Sequence, residues 1–425
     1  MLHGAPVGIE SLFLGGLAVT LLLWVGASAS VILNRVRFDR QEGRLIDIAR
    51  ALADPSVAAL PPMVRSPAIH RILSRRTRDA VYRMIASTAF PTWVSEACAA
   101  YAIDRWGMPR MLRDAAPHRR RRKWRRISAL FALGHIRAAG VHHLLEAAAF
   151  DPDPEVAGAA GVALHRLGDR RAAEILVAAL RDGSFSRSRI ATQLDQYPIE
   201  IGDLLIPLLT DPRPHARFWG ASLMVRYPQS PRLAQAMVAL AADAHPAVRR
   251  AALETLSGMA DDAAASTALG LLDDPIAFVR ATAARAVGQW GRTQDDRSIR
   301  RACAGRLSAS LADMSWDVRL ATKEALEALG PGVWREVAVE LESPDAFARN
   351  GAAEVLQNLG LLDLVMEEWA RGLVPNADTL GVLEGAFREG GLPMIDAAIS
   401  RLDPELVAGL AGVLTRLQLV PVGSA

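Results

Sequence analysis

The 425-residue chain is poor in lysine, cysteine and aromatic side chains. Of its 49 basic residues only Lys123 and Lys323 are lysine, a bias that reads as GC-rich coding before it reads as function. The two cysteines, Cys98 and Cys303, are too few and too far apart for a disulfide framework or a thiolate metal cluster. They read instead as buried thiols in a reducing compartment. Glycines are scattered, with no Walker-type phosphate loop and no dinucleotide fingerprint. His142-His143 has no cysteine near it and reads as a helix-surface pair. Asp261-Asp262 and Asp295-Asp296 read as helix-start or loop acids. The sequence implies no catalytic residues, no metal and no cofactor, so it points to a protein that is not an enzyme.

What is present is a repeat. With one arginine taken as row zero, it recurs as Arg126, Arg187, Arg217, Arg249, Arg280, Arg319 and Arg349, and Ala157 fills the slot between the first two. The intervals are 31, 30, 30, 32, 31, 39 and 30 residues, a period that marks stacked-repeat architectures. Seven residues on stand Leu133, Leu164, Leu194, Met224, Leu256, Val287, Leu326 and Leu356. Ten residues on stand Ile136, Leu167, Tyr197, Tyr227, Met259, Trp290, Leu329 and Leu359. Three residues on, the slot is mostly Ala or Gly, which lets another helix approach closely. At about 100° per residue these offsets share one arc of roughly 60°. Offsets two, five and nine fall on the opposite side and are mostly polar, including His135, Arg166, Arg189, Gln196, Arg226, Glu254, Arg285, Gln289, Glu354 and Asn358, with Trp219 among them. His165 lies near the same free face.

The turn before the helix repeats too. Six residues ahead of row zero stand Asp151, Asp211, Asp243, Asp274 and Asp313, with Pro at 152, 212, 275 and 344 and, a little later, at 246. The carboxylate is placed to cap free N–H groups and proline fits a first helical turn. An Asp and an Arg at fixed places can also pair between neighbouring units as a ladder. This pattern resembles the HEAT repeat, in particular the short bacterial HEAT-like form also found in phycobilisome lyases. The resemblance covers residues 118–360 and implies an all-α solenoid, a right-handed superhelix of about eight units. As an alternative function it implies a lyase-like protein acting on a bilin-bearing client.

Around the repeats the sequence predicts four further regions. Residues 1–10 form a short extracytoplasmic N-terminus, and residues 11–33, which carry no charge, are long enough to cross a bilayer as one transmembrane helix. Arg35, Arg37, Arg40 and Arg44 follow the run, while Glu10 is the only formal charge before it. By the positive-inside rule this predicts a single-pass protein of the inner membrane with its C-terminal domain in the cytoplasm. Residues 34–117 read as an irregular helical cap, with helices over Arg44–Ala53, from Ser66-Pro67 to Ile85, and over Trp93–Arg113 with a break at Gly107-Met108-Pro109. Residues 361–425 read as a degenerate helical cap.

Charge is unevenly spread. Residues 51–126 hold 16 basic and 5 acidic side chains, whereas residues 127–425 hold 28 and 37. The basic cluster Arg119, Arg120, Arg121, Arg122, Lys123 and Arg125 is suited to anionic lipid or an acidic partner. No basic stripe runs along the repeats, which argues against nucleic acid. The expected function is a membrane-anchored scaffold whose free helix faces grip a protein partner, itself membrane-associated, as in an accessory subunit of envelope or polysaccharide-synthesis machinery. The expected contact residues are Arg166, Arg189, Trp219, Arg226, Arg285 and Gln289, because Trp and Arg dominate binding hot spots.

Overall fold

A computed structural model of the chain describes residues 62–373 apart from 75, 88–91, 118–122, 183–185, 228–229 and 260–261. It also describes residues 47 and 50–52 and scattered positions between 379 and 404. Every regular element among the described residues is helical. The chain divides into two compact units, residues 1–199 and 200–425.

The first unit opens with α1 (Pro62–Leu73), α2 (Arg78–Ala86), α3 (Thr92–Trp106) and α4 (Met108–Ala115). The helix expected to run unbroken from Ser66 to Ile85 is two helices, because Thr77 accepts the Ala80 N–H and starts α2 afresh. The break expected at Gly107 is real: its φ of 72° places it where L side chains are strained. Of the helix expected over Arg44–Ala53, Asp47 and residues 50–52 are described, and they are helical. The repeats follow as α5 (Lys123–His135), α6 (His142–Ala149), α7 (Pro154–Leu167), α8 (Arg170–Asp182) and α9 (Arg187–Asp195). The row-zero helices α5, α7 and α9 pack on one another in sequence, and α6 and α8 pack behind them. Helix α2 also packs on α5.

The second unit repeats the theme. Its helices are α10 (Gly202–Leu205), α11 (Pro214–Met224), α12 (Pro231–Leu240), α13 (Pro246–Leu256), α14 (Asp262–Gly270), α15 (Ala277–Arg292), α16 (Arg297–Ser308), α17 (Trp316–Leu329), α18 (Trp334–Ala338), α19 (Ala346–Asn358) and α20 (Leu361–Ala370). Here the row-zero helices are α11, α13, α15, α17 and α19, each packed on the next.

The seam is built as the spacing requires. All eight residues at offset seven are buried, from Leu133 at 0% exposure to Met224 at 3%. All eight at offset three are buried as well. At Gly220 an added Cβ would lie 2.8 Å from Leu208, in the turn that completes the unit's first helix. A second close approach links successive row-zero helices: a Cβ at Gly134 would lie 2.5 Å from Ala163 Cα, and one at Gly288 2.6 Å from Ala325 Cβ. Both glycines stand eight residues after row zero, so the same slot brings α5 to α7 and α15 to α17.

The expected location in the inner membrane is corrected here. No helix among the described residues is long and apolar enough to cross a membrane. The longest, α15, has 16 residues and carries Arg280, Arg285 and Arg292, against the roughly 20 apolar residues a span needs. The segment 11–33 lies outside the described residues, as do most of the helices expected beyond residue 373.

Candidate protein-binding surface

Arg126, Arg217, Arg249 and Arg280 are held in pairs with acids rather than left as free charges. Arg217 Nε and Nη2 grip the two oxygens of Asp243 at 2.6 and 3.0 Å. Arg249 holds Asp274 at 2.7 and 2.8 Å, and Arg280 holds Asp313 at 2.7 and 2.8 Å. In the first unit Arg126 meets Asp151 at 2.6 Å. Each of these acids belongs to the following repeat, so each pair is a rung between neighbours. In the second unit Nη1 of the same arginines donates back to the carbonyl of its own turn, at Asp211, Asp243 and Asp274. Fork-to-fork pairs of this kind are the strong ones.

The acid does a second job, different from the one its position suggested. It does not cap the helix as N-cap. Asp151, Asp211, Asp243, Asp274 and Asp313 each accept the N–H two residues on, that of the N-cap residue itself, at 2.8–2.9 Å. The prolines that open α7, α11 and α13 are accordingly Pro154, Pro214 and Pro246. Burial opposes the charge on Asp243 and Asp313. The arginine hydrogen bond, the turn N–H and the nearby positive charge outweigh it and hold both carboxyls below their ordinary range. The carboxylate hydrogen bond raises Arg217, Arg249 and Arg280 in turn.

The rung after Arg280–Asp313 lacks its acid. Ser343 stands where the acid opposite Arg319 would be. Arg319 Nη1 still donates to the Asp313 and Met314 carbonyls at 2.7 and 3.2 Å, but its guanidinium lies over the Phe347 ring, 4.2 Å from the centroid. After this gap the ladder resumes with Arg349, which reaches Glu389 at 2.8 Å.

On the opposite side of the row-zero helices each unit carries a groove. In the first, Trp124, Ile127 and Phe131 on α5, Pro154, Gly158 and Val162 on α7, and Arg189 and Gln193 on α9 line a groove of about 680 Å³. Trp124 is 65% exposed. In the second, Trp316, Arg319 and Lys323 on α17 and Phe347, Asn350 and Glu354 on α19 line a cleft of about 230 Å³. Trp316 is 63% and Phe347 59% exposed.

The six expected contact residues fare differently. Arg189 lines the first groove. Arg285 and Gln289 are exposed and share a third, shallow groove with Arg292 and Glu324, where Arg285 pairs with Glu324 at 3.5 Å. Arg226 is exposed, and Trp219 is half-buried edge-on to Phe218. Arg166 turns inward: half-buried, it donates to the Ala86 carbonyl at 3.1 Å. In the basic cluster Lys123 is engaged, by Asp153 at 2.7 Å and by Glu155; Arg125 is half-buried, and residues 119–122 lie outside the described residues.

The exposed aromatics precede row zero, so the offsets that follow it do not include them. Trp124, Phe278 and Phe347 all stand two residues before it, at about 160° from it around the helix, on the same face as offsets two, five and nine. Phe131 stands at offset five and was passed over among polar neighbours.

Other polar clusters are structural. Ser95 Oγ donates to the Ile85 carbonyl at 3.1 Å, so at 2.9 Å it can only accept from His135 Nε2. Burial, then the Arg166 charge, hold His135 below its ordinary range. A serine whose proton is committed and a histidine that must donate are not a nucleophile and its base. His165 Nδ1 sits 2.9 Å from the Gln193 carbonyl. His142 does meet a carboxylate, Asp169 of the next repeat at 2.9 Å, a partner that spacing along one helix could not show. No group of three or more ligating side chains suited to a metal occurs among the described residues. Cys98 and Cys303 are buried and free, and burial pushes the Cys98 thiol up to about 12.

Residues 116–195 match the family model of HEAT repeats. No curated protein matches. Among solved structures, the chain is similar to an engineered protein at 14% identity, covering 88% of this chain and 98% of that one, with a TM-score of 0.40. It is also similar to the karyopherin Kap121p, solved bound to the SUMO protease Ulp1p, at 12% identity and a TM-score of 0.45, covering 88% of this chain and 47% of the karyopherin. Importin beta is a third, at 14% identity and a TM-score of 0.38, covering 92% and 68%.

Proposed function

We propose that this chain is a protein-binding scaffold that grips its partner along the free faces of the row-zero helices. The observation that carries this reading is the placement of four of the five large exposed aromatics among the described residues, Phe150 at the end of α6 being the exception. Trp124, Phe278, Trp316 and Phe347 stand in the first turns of those helices, while the opposite arc of the same helices is the buried seam. Exposed Trp and Phe beside arginine are what binding hot spots are made of, and they contribute nothing to a core. Arg189 in the first unit, and Arg285 and Gln289 in the second, are exposed on row-zero helices and would add contacts in their own units. The arginines 119–122 immediately precede Trp124 in sequence and favour an acidic partner there. This reading does not draw on the membrane span or the envelope role expected from the sequence.

The test is site-specific photocrosslinking in cells, with a benzophenone amino acid in place of Trp124 or Phe347 and, as control, in place of Arg306. Arg306 is exposed on α16, in the layer behind the row-zero helices. A discrete protein adduct from positions 124 and 347, absent from 306, is the expected result. Adducts from 306 alone, or none from any position, would overturn the reading.

A further inference from the structure

The interrupted rung gives the binding surface a chemistry. Ser343 has the backbone of a ladder acid: its φ and ψ are −58° and 143°, against −60° and 140° at Asp274 and −60° and 141° at Asp313. Its carbonyl accepts from Arg349 Nη1 at 3.0 Å, as the Asp274 carbonyl accepts from Arg280. Its Oγ lies 3.3 Å from the Asp345 N–H, the turn contact an aspartate makes elsewhere. In place of the carboxylate stands a hydroxyl, which also hydrogen-bonds the Glu340 carboxylate. Arg319 therefore keeps its two contacts to its own turn, while Nε and Nη2, the atoms that hold the acid in the rungs of Arg217, Arg249 and Arg280, bond to nothing among the described residues. The cleft does not neutralise the charge from within. Its other cation, Lys123's only fellow lysine Lys323, is taken by its one carboxylate, Glu354, at 2.7 Å. Around the open fork stand the exposed Trp316 and Phe347 and, in the same turn, Met314 at 97% exposure.

We infer that this cleft takes an acidic, apolar-flanked segment of a partner protein, whose carboxylate completes the rung that Ser343 leaves open. The guanidinium supplies a two-pronged donor of fixed geometry, which selects a carboxylate over an amide. Phe347 beneath it holds the fork in place, and the flanking aromatics select apolar neighbours of the acid. The inference rests on the protein-binding reading above and names the partner chemistry at one point of that surface.

The test is an array of twelve-residue peptides pairing Asp or Glu with Leu, Phe or Trp, each beside its Asn or Gln counterpart. It is probed with the full chain, with Ser343→Asp and with Arg319→Gln. Wild type should retain acidic–apolar peptides about tenfold better than their amide counterparts. Both variants should lose that preference, Ser343→Asp because its own carboxylate fills the fork. Ser343→Asp should melt no lower than wild type, which separates occupancy from misfolding. Peptides retained equally by all three proteins would overturn the inference and leave the scaffold reading intact. Absence of any acid-over-amide preference in wild type, or a lower melting temperature for Ser343→Asp, would overturn it as well.

Discussion

Arg280 and Arg319 occupy the same slot of consecutive repeats, and they differ in what the next repeat offers them, Asp313 to the first and Ser343 to the second. Both donate Nη1 to the carbonyl of an aspartate in their own turn, at 2.8 and 2.7 Å. Arg280 spends its remaining fork on Asp313 of the next repeat and is part of the frame. Arg319 finds a serine, lies over Phe347 and faces a cleft. One residue, forming no part of either helix, decides whether the same arginine closes the stack or is left for an outside group. A repeat protein thus needs no dedicated binding domain, because leaving out one partner of a structural pair exposes a group already held in place.

The comparison can be broken most severely from the seam. Val287 on α15 is fully buried, and Gln289 on the same helix is exposed. Val287→Asp should cost more than about 4 kcal/mol, an unpaired charge in a packed core. Gln289→Asp should stay within about 0.5 kcal/mol. Urea unfolding of the two variants checks the register directly, and similar midpoints would mean that it is wrong.

A closed rung comes next. Arg249 and Asp274 have side chains 11% and 3% exposed. Asp274→Ala strands that arginine and should cost about 3 kcal/mol, in the range for breaking a buried pair. The exposed pair Arg306–Asp273 makes the control, and Asp273→Ala should cost less than about 1 kcal/mol. Equal losses in a denaturant melt would show that the rungs are decoration.

Acid provides a gentler probe. The folded-state pKa values of Asp243 and Asp313 are depressed. Their contribution is therefore complete above the unfolded carboxyl value of about 4 and is lost as pH falls through the lower folded values. Asp313→Asn should flatten the loss of stability below about pH 5, read from melting temperatures across pH. A pH profile unchanged by that substitution would mean that Arg280 does not hold the carboxylate.

Much of this frame was legible in the sequence, because a helix pays for a misplaced core residue every turn. The rows at offsets three and seven, and the Asp–Arg pairing between neighbours, follow from periodicity alone. The second role of the acid was harder to see, since whether an Asp caps a helix or bonds the N-cap N–H depends on turn geometry two residues long. The proposed binding face was legible only in part. Arg189, Arg285 and Gln289 are exposed on their helices, but Arg166 reaches back to Ala86, a partner 80 residues away that no local pattern reveals. Trp124 and Phe347 precede the row-zero arginine, outside the offsets that define the repeat. A long uncharged run at residues 11–33 suggested a membrane span, yet no described helix is long and apolar enough to cross a membrane.

The smallest effect tests the central claim most directly. That claim is that Arg319 is a ladder arginine without its acid. In a double-mutant cycle, Ser343→Asp is introduced into wild type and into Arg319→Gln, and unfolding free energies are measured for all four proteins. The new carboxylate should stabilise the wild-type chain by about 0.5–1 kcal/mol and the Arg319→Gln chain not at all, a coupling of the size seen for part-exposed ion pairs. The same change in both backgrounds, or a destabilisation that Arg319 does not influence, would contradict the account.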